Sequence, residues 1–149
     1  MKMVKGYTPL EALYFDYAYG KTHVWIFSKN DLKLVKKVDY LFLGGGMANT
    51  FLFADGIEVG KSLCERDMVD EARRIQAAAK QAGCEILLPV DRVIVDKFGA
   101  NAPHEIVPTS TMPADREAVD VGPETVLMLR QTLSGCRTVL WNGPLGVFE

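Results

Sequence analysis

The residues with the strongest claim to chemistry are glycines, in three short stretches. Gly44-Gly45-Gly46 stands between an apolar run and Met47–Ala54, a good helix-forming segment. Gly122-Pro123-Glu124-Thr125 stands at a second junction of the same kind, with Pro123 suited to a first helical turn and Glu124 to its positive end. Asn142-Gly143-Pro144-Leu145-Gly146 follows the apolar run Val139–Trp141 and belongs to neither strand nor helix. A strand that breaks through glycine into a helix lets backbone approach a ligand closely and aims helix N–H groups at an anion. The chemistry implied is the holding of a nucleotide or another phosphate ester. No carboxylate pair, Ser/His/Asp set or metal-ligand spacing competes with it.

Other reactive types read as structural. Gly60-Lys61-Ser62 looks like the end of a phosphate-binding P-loop, but that motif needs a glycine where Asp55 stands, with a strand before it and a helix directly after. Cys64, Cys84 and Cys136 are odd in number and widely spaced, which fits reduced structural cysteines in a reducing compartment. His23 shares a strand face with Trp25, and His104 lies in a polar connection; neither has an evident chemical partner.

The elements that must position the glycines follow in chain order. Residues 1–37 crowd in most of the aromatics, among them Tyr14, Phe15, Tyr17, Tyr19, Trp25 and Phe27. Pro9–Tyr19 is compatible with a short helix and Thr22–Phe27 with a strand. Asn30-Asp31 can cap a short helix through Lys36, turning Leu32, Val35 and Val38 inward and Lys33, Lys36 and Lys37 to water. Val38–Leu43 reads as a strand covered on both faces. Glu65–Gln81 reads as a helix with Met68, Val69, Ala72, Ile75 and Ala79 on its apolar face, stopped by Gly83. Glu85–Leu88, Asp91–Asp96, Glu117–Val121 and Arg137–Trp141 read as strands, Phe98–Pro113 as a long polar connection, and Pro123–Ser134 as a helix closed by Gly135. The expected architecture is α/β: a doubly wound, mostly parallel sheet in a Rossmann-like three-layer arrangement. Its glycine turns would then line one crevice at the carboxyl ends of the strands.

The bulk numbers suit that expectation. A chain of 149 residues can bury a core of its own, and 48% hydrophobic with 24% charged residues is a globular balance. A net charge of −2 gives no general attraction to nucleic acid or anionic membrane. No apolar run is long enough to span a bilayer, and Glu11 and Asp16 interrupt any secretory apolar region. The expectation is a cytoplasmic protein without nucleic-acid or membrane partners.

Five stretches together resemble a known family. Leu43–Phe51 (Leu-Gly-Gly-Gly-Met-Ala-Asn-Thr-Phe), Glu58–Leu63 (Glu-Val-Gly-Lys-Ser-Leu), Ile86–Asp91 (Ile-Leu-Leu-Pro-Val-Asp), Asp120–Thr125 (Asp-Val-Gly-Pro-Glu-Thr) and Trp141–Glu149 (Trp-Asn-Gly-Pro-Leu-Gly-Val-Phe-Glu) are similar, in order and spacing, to the C-terminal nucleotide-binding domain of phosphoglycerate kinases, of bacterial type. The resemblance covers residues 32–149 and leaves 1–31 as an unmatched N-terminal segment. It implies reversible phosphoryl transfer between 1,3-bisphosphoglycerate and ADP, giving 3-phosphoglycerate and ATP in glycolysis. ADP or ATP is the bound cofactor and Mg2+ is carried by the nucleotide.

By resemblance, Gly45 and Gly46 are part of the adenine wall, and Gly122 is a backbone contact to the nucleotide. Asn142, beside Gly143, is near the phosphates. Pro144, Gly146 and Val147 face base and ribose, and Glu149 holds the ribose hydroxyls. No catalytic residue and no metal ligand is assigned.

The sequence lacks the family's Gly-Gly-Ala-Lys-Val segment, its later Gly-Gly-Gly-Asp-Ser/Thr loop and its phosphoglycerate-binding N-terminal domain. The expectation is therefore a domain truncated at both ends, with phosphoglycerate reached only through a missing domain. Turnover alone would be negligible, and uncovered edges would favour self-association. The alternative is a non-catalytic nucleotide-binding or interaction module derived from that domain.

Overall fold

A computed structural model describes residues 22–24, 35–99, 101–141 and 145–146. Expectations for Pro9–Tyr19, for most of the Asn30–Lys36 helix, and for Asn142, Gly143, Pro144, Val147 and Glu149 lie outside those residues. The described elements are β1 (Thr22–Val24), β2 (Tyr40–Phe42), α1 (Gly45–Ala54), α2 (Val69–Ala82), β3 (Glu85–Leu87), β4 (Asp91–Val95), β5 (His104–Pro108), β6 (Glu117–Val121), α3 (Pro123–Ser134) and β7 (Thr138–Leu140).

Two sheets result. One is parallel, in the order β3-β2-β1-β7. The chain leaves β1 for β2 and β3 on one side and returns to place β7 on the other. The order thus reverses at β1, which makes the carboxyl ends of β1 and β7 a topological switch point. Successive side chains of a strand face opposite ways. Leu41 accordingly joins a core with α1 and α2 (Phe51, Leu52, Ala72, Ile75, Ala79), while Phe42 joins a second core with Leu87 and Leu129 of α3. Helices therefore cover both faces, and the fold is the expected three-layer α/β arrangement. Val35 and Val38 are buried and Lys36 and Lys37 exposed, as the amphipathic pattern predicts.

The other sheet corrects the expectation for the middle of the chain. It is antiparallel, in the order β5-β4-β6, so β4 and β6 are not members of the parallel sheet. Residues 88–90 are the whole connection from β3 to β4, far shorter than the dozen or so residues a parallel crossover needs. The chain instead turns out of the first sheet. Within the stretch read as a polar connection, His104–Pro108 is a strand. It is an edge strand, mostly exposed, and it ends on proline where no further ladder donor is required.

α2 begins after a 3-10 turn at Arg66–Met68 and ends at Gly83, whose φ of +75° is a left-handed cap. Arg73 reaches back so that Nε and Nη2 donate to the Ala54 carbonyl at 3.3 and 3.2 Å. Gln76 donates to the Asp55 carboxylate at 2.9 Å. Both contacts tie α2 to the end of α1, where helix carbonyls have no intrahelical partner. Cys64, Cys84 and Cys136 are free thiols. Burial, then the charges of Asp39 and Glu85, push the Cys84 thiol up to about 11, which suits a packing role.

Candidate functional site

The turn after β2 is built by buried polar side chains. Gly44 caps α1 without a side-chain hydrogen bond, and the first turn carries no acidic residue. Gly45 has φ +57°, a conformation that favours glycine. Asn49 and Thr50, both buried, fasten the 63–65 segment across this helix start. The Asn49 amide donates to the Leu63 carbonyl at 2.9 Å, and the Glu65 N–H donates to Thr50 Oγ1 at 3.1 Å. Leu63 is thereby held against Gly46, where an added Cβ would lie 2.9 Å from its Cδ2, yet its side chain remains 75% exposed. An apolar side chain pinned by its backbone and left in water beside a glycine turn makes a surface for a flat apolar ligand face. Residue types alone single out Gly46 but not Leu63; the signal for Leu63 is its exposure.

The Gly60-Lys61-Ser62 stretch serves the fold. Gly60 has φ +58°, and a Cβ there would overlap the carbonyls of Pro113 and Arg116. The Lys61 N–H donates to the Arg116 carbonyl at 2.8 Å, and Ser62 Oγ accepts from the Ala118 N–H at 2.8 Å. These bonds clasp the turn to the start of β6. The Lys61 N–H and the Ser62 hydroxyl are thus used internally.

The second junction differs from the first in its electrostatics. Asp91, buried at the start of β4, points its carboxylate at the N-terminus of α3. It accepts from Glu124 N–H at 2.9 Å, Thr125 N–H at 2.8 Å and Thr125 Oγ1 at 2.6 Å. Thr125 Oγ1 in turn accepts from the N–H groups of Val90 and Asp91. Burial disfavours the charge of Asp91, but the Thr125 hydroxyl and these N–H donors outweigh it and hold the carboxyl below its ordinary value. The anion position of α3 is thus filled from within the chain. Gly122 donates its N–H to the Asp91 carbonyl at 3.0 Å, and a Cβ on it would overlap the Asp91 carboxylate. Sequence reasoning gave Asp91 no role of its own; an aspartate at the start of a strand carries no signal of a partner 34 residues on.

Of the nine predicted site residues, Gly45, Gly46, Gly122 and Gly146 are described, and the other five lie outside the described residues. Gly146 sits against Asp120, whose Oδ1 accepts from the Val121 N–H at 2.7 Å. The three turns share a base. Phe42 lies two residues before Gly44, Val121 directly before Gly122 and Leu145 directly before Gly146, and all three belong to the apolar cluster with Leu87 and Leu129. Among the described residues no group of three or more His, Cys, Asp or Glu could hold a metal ion. Nor, among them, is any helix long and apolar enough to cross a membrane.

Comparison with known proteins identifies the relatives of this arrangement. Residues 32–149 match the family model described as phosphoglycerate kinase. A phosphoglycerate kinase of Cereibacter sphaeroides is 57% identical over 116 residues, which is 78% of this chain and 29% of that protein. One from Methylobacterium radiotolerans is 54% identical over 124 residues, 82% of this chain and 31% of that protein. The chain thus spans less than a third of the length of these relatives. Among solved structures, phosphoglycerate kinase from Coxiella burnetii superimposes with a TM-score of 0.77 at 34% identity, covering 85% of this chain and 34% of that one.

Proposed function

The chain belongs to the phosphoglycerate kinase family, and from that premise we propose that residues 32–149 are part of its nucleotide-binding domain and supply part of an ADP/ATP site. The reaction served is phosphoryl transfer between 1,3-bisphosphoglycerate and ADP, giving 3-phosphoglycerate and ATP in glycolysis, in the cytoplasm. The observation that carries this reading is the gathering of the Gly44–Gly46, Gly122 and Gly146 turns on one apolar cluster beside a topological switch point.

Gly45, Gly46 and the exposed Leu63 side chain form the wall for the base. By the family resemblance, Gly122 is a backbone contact to the nucleotide, Asn142, beside Gly143, serves the phosphates, Pro144, Gly146 and Val147 serve base and ribose, and Glu149 takes the ribose hydroxyls. The start of α3 is already neutralised by Asp91. The bound nucleotide brings Mg2+ and the phosphoryl group; this chain binds and orients the nucleoside end.

Transfer also needs cations around the moving phosphoryl group and an acceptor held in line. The proposed outcome is weak ADP binding with negligible turnover by the chain alone. Calorimetric titration with ADP and adenosine, beside a coupled assay for ATP formation from 1,3-bisphosphoglycerate, tests it. Absence of binding to either ligand would sink the site. Turnover at rates ordinary for kinases, roughly 1–100 per second, would sink the partial-site reading.

A second reading is a non-catalytic nucleotide-binding or interaction module derived from that domain. Adenosine and ADP binding with no turnover, even when a separately made N-terminal phosphoglycerate domain is added, would favour it.

A further inference from the structure

We propose that Arg92 anchors an oxyanion site at the Gly122 end of the β4–β6 ribbon, and that this site takes a phosphate group. Arg92 lies in β4 and is 2% exposed, yet its Nη1 and Nη2 are buried with no hydrogen-bond partner among the described residues. Its cross-strand neighbours, Val107 and Val121, are apolar and cannot answer it. The carboxylates adjacent to Arg92 and to its strand partner Val121 make hydrogen bonds of their own. Asp91 is bonded to Glu124 and Thr125, and Asp120 accepts from Val121.

A buried guanidinium without a counter-ion is strongly disfavoured, and its planar fork matches the paired oxygens of a phosphate. Burial lowers its pKa to about 10, so it is still charged at neutral pH. Directly opposed residues of an antiparallel pair share a face. Arg92 therefore shares the face of Val121, the side chain that packs in one cluster with Phe42 and Leu145. The unpaired charge thus belongs to the face on which the glycine turns converge. Both guanidinium nitrogens are closed to solvent, so a phosphate reaches them only by displacing the side chains that cover them, and low local dielectric strengthens the pairing once it is made. Phosphate could arrive as the free ion or on a nucleotide. The nucleotide source rests on the reading given under Proposed function; the anion site itself does not.

The test uses the full chain, Arg92→Met and Arg92→Lys. Thermal unfolding is followed in sodium phosphate, pyrophosphate, ADP or adenosine against sodium chloride of equal ionic strength, with calorimetric titration of pyrophosphate and ADP. The wild-type midpoint rises in phosphate and pyrophosphate. Without ligand, Arg92→Met melts higher than wild type, because a charge without a partner has been removed. Its affinity for pyrophosphate falls at least about tenfold, as expected for loss of a charge-assisted hydrogen-bond pair, and adenosine binding is unchanged. A response to ADP and pyrophosphate well above that to phosphate assigns the site to a nucleotide; an equal response assigns it to the free ion.

Equal wild-type midpoints in phosphate and chloride overturn the proposal, as does an undiminished response in Arg92→Met. Should that variant not fold, Arg92→Lys decides. It keeps the charge and loses the fork, so an undiminished pyrophosphate affinity overturns the proposal. Loss of adenosine binding in the wild type would instead count against the nucleotide site and leave the phosphate response to judge Arg92.

Discussion

At the scale of single residues, Asp91 is the hinge between structure and site. Its folded pKa lies below the ordinary 3.8, so its contribution is fully present above that value and is lost as pH falls through the folded pKa. Asp91→Asn should cost about 1–3 kcal/mol at pH 7, the usual consequence of leaving buried donors poorly matched. The difference from wild type should shrink as the pH is taken below the folded pKa; urea unfolding across that range measures it. Gly122→Ala should produce a similar loss, since a methyl there displaces the same carboxylate. Leu63→Ser should leave the melting midpoint nearly unchanged, because the side chain is exposed, while weakening adenosine binding several-fold. The glycines were legible because few residue types tolerate those turns. Asp91, Leu63 and Arg92 were not, because their importance lies in what stands beside them and not in their type.

At the scale of elements, the Gly60–Ser62 turn shows how a motif-like string is consumed by packing. Gly60→Ala meets both a left-handed φ and two carbonyls, and should destabilise by well over the ~1 kcal/mol that αL strain alone costs. Ser62→Ala strands the Ala118 N–H and should cost about 1 kcal/mol. Chemical denaturation of both variants, with ADP affinity measured in parallel, separates loss of fold from loss of site; affinity per folded molecule should be unchanged. Helices α2 and α3 and strands β2, β3 and β6 were readable from apolar period, Gly83, Gly135 and Pro123. β5 was not, because an edge strand borrows its order from β4 and shows only Ile106 and Val107 as apolar residues. The partner sheet of β4 and β6 was equally hidden, since strand direction depends on the three-residue link 88–90 and not on strand composition.

At the scale of the whole molecule, the β7 side of the parallel sheet is where association should occur. Among the described residues β7 pairs only with β1, and Val139 is 45% and Leu127 of α3 54% exposed. Sedimentation velocity should show concentration-dependent self-association of the chain, reduced by Val139→Lys and Leu127→Glu; a monomer at all concentrations would refute this. The family and the α/β class were determined by the sequence alone, because five glycine- and proline-punctuated stretches in fixed order admit few backbone solutions. Only the tertiary structure decided that β1 is central and β7 lies beside it. It also decided that β4–β6 form a separate antiparallel sheet and that three turns distant in sequence rest on one cluster. Strand order and the company of a buried charge are set by long-range packing, and no local pattern of residues records them.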